Sequence, residues 1–100
     1  MADIAPKRDR LKVVVTRRLP KAVDARLAEL FDVSLRETDT GMTREELASA
    51  MRDSDVLVPT ITDQIDAGLL AQAGERLRLI ANYGAGVDHI DVASARSRGI

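Results

Sequence analysis

Gly84 and Gly86 stand one residue apart in the stretch Asn82-Tyr83-Gly84-Ala85-Gly86-Val87-Asp88-His89-Ile90-Asp91. An apolar run, Leu77 to Ala81, leads in, and a helix-like segment, Val92 to Arg98, leads out. Glycines where a strand hands over to a helix free the backbone to turn sharply. They also let a ligand approach bare N–H groups. A carboxylate or phosphate suits such a turn, because its donors are unpaired. The bland alternative is a tight turn that needs glycine only for packing.

Other residues able to do chemistry are few. His89 is the only histidine, and without a nucleophile partner it reads as structural. Arg17-Arg18 could raise the positive potential for an anionic substrate, or be a solvated turn. Asp53, Asp55, Asp63 and Asp66 cluster in sequence, but capping and solvation explain them more cheaply than a metal, since no histidine is near. No metal site is expected. Gly84 to His89 begins like the dinucleotide fingerprint G-x-G-x-x-G, yet His89 holds the place of the third glycine. The acidic residue expected about 20 positions later would fall past Ile100. Nucleotide binding at this turn is therefore rejected, and the phosphate loop ending in Gly-Lys-Ser/Thr is absent. A receiver-type acidic pocket is rejected too, since Arg17-Arg18 and Pro59-Thr60 stand where its carboxylates would be.

The elements that must position the turn follow from pattern. Met1 to Arg10 is polar and reads as a flexible tail. Leu11–Thr16 is a β-branched run of strand length. Pro20 suits the first turn of a helix whose stripe is Val23, Leu27 and Leu30. Phe31–Arg36 alternates strictly, as a half-exposed strand does. Glu37 to Met42 is a turn-rich loop around Gly41. Thr43 and Glu46 form a capping box for a helix with Leu47, Ala50 and Met51 on its apolar face. Asp55–Val58 is a short buried-type strand stopped by Pro59. Thr62 or Asp63 can cap the next helix, with the stripe Ile65, Leu69, Leu70 and Ala73 and with Gly74 as C-cap. Leu77–Ala81 is the fourth strand. Asp91 caps the last helix, and Gly99 ends it.

Alternation of strand and helix means a parallel sheet with helical crossovers, an α/β doubly wound fold. The alternating second strand belongs at an edge, and the other three inside. The flavodoxin-like order 2-1-3-4-5 satisfies both. Its fifth strand would start near Gly99–Ile100. The chain is thus expected to be a fragment with the fifth strand truncated at Ile100, leaving the fourth strand as an uncovered apolar edge. In this topology ligands bind beyond the carboxyl ends of the strands, where Thr16–Leu19, Pro59–Thr62 and Asn82–Asp88 lie.

Composition narrows the class. The chain has 100 residues, 45% hydrophobic and 31% charged, enough for one domain. Its net charge of −1 and its two aromatics, Phe31 and Tyr83, argue against nucleic-acid binding. Cysteine is absent, which excludes disulfides and thiolate chemistry. No run approaches the ~18 apolar residues of a membrane span. A cytoplasmic location is the default.

Val13-Val14-Val15-Thr16-Arg17-Arg18-Leu19-Pro20, Thr62-Asp63-Gln64-Ile65-Asp66, Leu79 to Asp91 and the closing Arg98-Gly99-Ile100 together resemble the D-isomer-specific 2-hydroxyacid dehydrogenases, nearest the glyoxylate/hydroxypyruvate reductase branch. The resemblance covers about residues 11 to 100. It implies a flavodoxin-like substrate domain, here incomplete over 11–100, that pairs in the full enzyme with a Rossmann NAD(P) domain absent from this chain. It also implies a small 2-oxo or 2-hydroxy acid substrate, NADH or NADPH as cofactor, and a homodimer. By that resemblance the backbone N–H groups of Ala85 and Gly86, with Gly84, meet the substrate carboxylate, and Thr60 and Ile61 form a pocket wall. The family's catalytic His, Arg and Glu match nothing here, and His89 is not that histidine. The chain alone is therefore expected to be inactive and to bind no cofactor. The alternative is a stand-alone, non-enzymatic flavodoxin-like binding or oligomerisation module.

Overall fold

The computed structural model describes residues 9–37 and 39–100. Most of the expected tail, residues 1–8, lies outside the described residues. Arg10 already reaches the Glu29 carbonyl with its guanidinium.

The elements alternate as the pattern requires: β1 (Lys12–Val15), α1 (Lys21–Leu30), β2 (Asp32–Ser34), α2 (Arg44–Asp53), β3 (Val56–Val58), α3 (Ala67–Leu70), β4 (Leu79–Ile80) and α4 (Val92–Ser97). The strands are all parallel in the order β2-β1-β3-β4, as expected. Val13 lies opposite Val33 on one side and Val56 on the other, and Val56 lies opposite Leu79.

Because side chains alternate across a strand, β1 feeds both faces of the sheet. Val13 and Val15 join Val56, Val58 and Leu19 on one face, against Val23, Leu27 and Phe31. Val14 and Leu57 face the other way, into a larger core with Leu47, Met51, Ile65, Leu69, Leu70, Leu77 and Ala95. The second core is built from α2, α3 and α4 over the sheet. Among the described residues no helix is long and apolar enough to cross a membrane.

The Thr43–Glu46 capping box forms as read: Glu46 N–H donates to the Thr43 hydroxyl, and Thr43 N–H to the Glu46 carboxylate. Asp91 caps α4 by accepting from Ser94 N–H, and Gly99 follows that helix at φ +77°, where a side chain would be strained.

Several boundaries depart from the pattern. Pro20 sits one residue before α1, its carbonyl accepting from Val23 and Asp24. Leu30 is exposed, because the chain turns out of the helix at Phe31 and the Phe31 ring takes the place in the core. β2 spans only Asp32–Ser34, and Leu35 is exposed. The third helix is a single turn capped by Asp66, not by Thr62 or Asp63. Ile65 is held extended instead: its N–H donates to the His89 carbonyl and its carbonyl accepts from Asp91. Gly74 is not a helix cap. It sits where a Cβ would lie 2.3 Å from the Arg52 carbonyl oxygen. β4 is short, and Leu79 is half exposed at the sheet edge.

Asp55 and Asp63 are buried, not solvated. Asp55 accepts from Lys12 N–H at 2.7 Å and from the Arg76 guanidinium at 3.0 Å. The Lys12 amide first, and Arg76 second, hold its carboxyl below the usual carboxylate range. The exposed Asp66, paired with Arg44, is pushed down to about 2. A carboxyl depressed in the native state binds protons more readily once unfolded. Its stabilisation is present above the unfolded value of ~3.9 and is lost as pH falls through the native one. The unfolding free energy in urea is therefore expected to fall as pH drops below about 4, and to fall less in Asp55→Asn. At neutral pH that variant should lose about 1–2 kcal/mol. Identical pH profiles for the two chains would remove Asp55 as a source of acid sensitivity.

Candidate functional site

Three loops meet at the carboxyl ends of the strands: residues 16–20 after β1, 59–66 after β3 and 81–91 after β4. Their assembly centres on Asp63. Its carboxylate accepts from the buried Thr16 hydroxyl at the end of β1 and from Thr60 N–H at 2.9 Å. Asp63 N–H returns a bond to the Thr60 carbonyl. One buried acid thus ties the loop after β3 to the end of β1. A second tie, from Tyr83 N–H to the Pro59 carbonyl, brings the glycine turn alongside that loop.

Within the turn, Asn82 bridges two partners. Its Nδ2 donates to the Gly86 carbonyl at 2.8 Å, and its Oδ1 lies 2.8 Å from Nε2 of the buried His89. A carbonyl can only accept, so the Asn82 atom facing Gly86 is nitrogen. The atom facing His89 is then oxygen, which makes Nε2 of His89 the protonated nitrogen. Among the described residues, the N–H groups of Gly84, Ala85, Gly86 and Val87 donate to no protein acceptor.

The glycines earn their places differently from the expectation of a sharply turned backbone, since neither has positive φ. At Gly84 a Cβ would stand 3.1 Å from the Ile61 methyl Cγ2, so the residue lets the two loops touch. At Gly86 a Cβ would meet nothing within 4 Å. The approach to the turn is open there.

A shallow concavity of about 340 Å³ lies over this junction, lined by Ile61, Gln64, Gly86, Asp88 and His89. The structure thus brings Ile61 and Gly86 together and sets Gly84 against Ile61. Ala85 is exposed in the same turn but does not line the concavity. Thr60 does not line it either: its N–H serves Asp63 and its hydroxyl meets that of Thr62 at 2.9 Å. Arg17 points to Asp39, with an ion pair at 3.3 Å, and to Thr62. The lining therefore holds one acid, Asp88, and no cation. Among the described residues no group of histidine, cysteine and acid side chains could hold a metal.

Sequence reasoning missed Asp63 as an organiser, and the Asn82–His89 bridge. Spacing offered some signal for the bridge, since both residues bracket the glycines. Nothing local marked Asp63, whose partner Thr16 is 47 residues away.

Comparison with known proteins places this arrangement. Residues 13–100 match the family model described as D-isomer specific 2-hydroxyacid dehydrogenase, catalytic domain. A glyoxylate reductase from Thermofilum pendens is 42% identical over 92 residues, which is 91% of this chain and 27% of that protein. One from Thermococcus kodakarensis is 40% identical over 91 residues, again 91% of this chain and 27% of the relative. Among solved structures, a D-isomer specific 2-hydroxyacid dehydrogenase from Polaromonas superposes with a TM-score of 0.84 at 37% identity, covering 90% of this chain and 28% of that one. The chain spans about a quarter of the length of these relatives. It belongs to the D-isomer specific 2-hydroxyacid dehydrogenase family and corresponds to part of that family's catalytic domain.

Proposed function

We propose that this chain is the substrate-domain part of an NAD(P)-dependent 2-hydroxyacid dehydrogenase acting on a small 2-oxo acid of the glyoxylate or hydroxypyruvate type. In this reading the Gly84–Gly86 turn holds the substrate carboxylate. The observation that carries it is the run of N–H groups from Gly84 to Val87 without acceptors among the described residues, beside the open space over Gly86. Such donors recognise a carboxylate by charge-assisted hydrogen bonds. Ile61 supplies an apolar wall against which a short carbon chain can rest.

The lining also fits a wall rather than a whole site. Asp88 repels an anion, and no lysine or arginine offsets it. The neutralising cation, and the acid that protonates the reduced carbonyl, belong to groups outside these residues. The dinucleotide does too. His89 is buried and bonded to Asn82 where a fingerprint glycine would allow close helix–strand approach, so these residues do not fit it. What this chain contributes is binding and orientation of the substrate, a proximity effect.

Gly86→Val tests the reading. A Cβ at this position meets no protein atom within 4 Å and the backbone there is not at positive φ, so the fold should tolerate the side chain, which fills the space a carboxylate would use. In an enzyme carrying these residues with a nicotinamide-binding domain, KM for glyoxylate is expected to rise about tenfold or more, the loss of one charge-assisted bond. Unchanged KM and kcat would remove the turn from the substrate site.

A further inference from the structure

We propose that Asn82 and His89 are positioning residues that set the direction of the peptide groups in the glycine turn. The inference deepens the carboxylate reading above and rests on it. A turn bearing glycine on both sides of Ala85 has little intrinsic resistance to rotation of its peptide planes. A rotated plane would present a carbonyl oxygen to the substrate and repel it.

The structure holds the turn at both ends. On the entry side, Tyr83 N–H is fastened to the Pro59 carbonyl. On the exit side, Asn82 Nδ2 fastens the Gly86 carbonyl, and the Val87 carbonyl accepts from Ile90 N–H. All described peptide bonds are trans. In a trans peptide the carbonyl and the N–H point in opposite directions. Holding the Gly86 carbonyl toward Asn82 therefore directs Val87 N–H away from it and makes that group a further candidate donor, beside Ala85 and Gly86.

His89 decides whether Asn82 can do this. An asparagine amide can turn over and exchange its oxygen and nitrogen. If it did, its Oδ1 would face the Gly86 carbonyl, oxygen against oxygen, and release the peptide. A proton on His89 Nε2, the tautomer that the Gly86 bond assigns, opposes that exchange because it needs an acceptor at Oδ1. The ring is buried, and the His89 backbone that carries it is held by Ile65 N–H donating to the His89 carbonyl.

The test is a glyoxylate titration of a ¹⁵N-labelled enzyme that carries these residues with a nicotinamide-binding domain, followed through the Gly84–Val87 amides, in the wild type and three variants. Asn82→Leu removes the amide without adding charge, and His89→Phe keeps an aromatic ring without the donor. Each is expected to raise Kd about tenfold. His89→Gln places an amide N–H near the position of Nε2 and is expected to restore Kd to within about twofold of wild type. The Asn82 side-chain amide protons should exchange slowly with solvent in the wild type and His89→Gln, and fast in His89→Phe. Rescue by glutamine separates positioning from simple packing. Wild-type Kd in Asn82→Leu, or in a folded His89→Phe, would overturn the proposal while leaving the carboxylate site standing. No response of the wild-type Gly84–Val87 amides would overturn the carboxylate site itself, and this inference with it.

Discussion

Asp63→Ala is expected to lower the unfolding free energy by about 3 kcal/mol, measured in urea. Two donors converge on one carboxylate oxygen, the buried Thr16 hydroxyl and the Thr60 N–H. Hydrogen bonds to a charged group contribute about 1.5–3 kcal/mol, and a buried donor left unpaired costs a further desolvation penalty. Asp63→Asn keeps an oxygen that both donors can share, and should cost only about half as much. The functional effect runs through the loop. Asp63 joins Thr60 to the buried end of β1, and the exposed Arg17–Thr62 contact at 3.4 Å is the weaker tie, so loss of Asp63 loosens the segment bearing Ile61, which lines the concavity. Binding of a 2-oxo acid should weaken along with stability. An Asp63→Ala chain as stable as the wild type would show that the loop is held by other means.

Gly74→Ala is the second large effect, at the opposite end of the sheet from the glycine turn. A methyl there would lie 2.3 Å from the Arg52 carbonyl oxygen and 3.1 Å from the Arg52 carbonyl carbon and Cα. These are backbone atoms at the end of α2, so no rotamer change relieves the overlap. The loop must move off the helix, breaking the bond from Gly74 N–H to the Met51 carbonyl. Overpacking of this kind costs about 1–3 kcal/mol, and the backbone location puts the expected loss near 3. Affinity at the distant turn should be unchanged. A Gly74→Ala chain of wild-type stability would show that the loop and α2 separate freely.

Much of this fold was legible in the sequence because its signals are local. Capping at Thr43 and Asp91 depends on residues three apart, and both caps form as read. Strand order followed from which runs alternate and which are apolar throughout, since burial on two faces leaves its mark on each strand by itself. The errors arose where a distant contact outbid a local preference. Asp63 looks like a helix cap, yet Thr16 captures it, and the helix starts later at Asp66. Ile65 fits a helical stripe, yet pairing with residues 89–91 keeps it extended. Gly74 reads as a cap, and only the position of Arg52 reveals it as a point of close approach.

The candidate site divides between local and distant signals in the same way. The glycine spacing located the turn, and among the described residues its N–H groups have no protein acceptors. Thr60 was placed as a wall, but its N–H and hydroxyl are both engaged elsewhere, and Gln64 and Asp88 line the concavity instead. Which side chains face a concavity depends on how three loops settle against one another, and no single stretch encodes that.

The proposed role of the Gly84–Gly86 turn is to receive a carboxylate. The test is an amide-resolved acetate titration of a labelled enzyme that carries these residues with a nicotinamide-binding domain, since acetate offers a carboxylate and nothing more, with chloride at equal ionic strength as the control. Saturating shifts centred on Gly84 to Val87 are expected, with Lys12, Asp55 and Arg76 unmoved. Shifts centred elsewhere, or equal shifts with chloride, would contradict it.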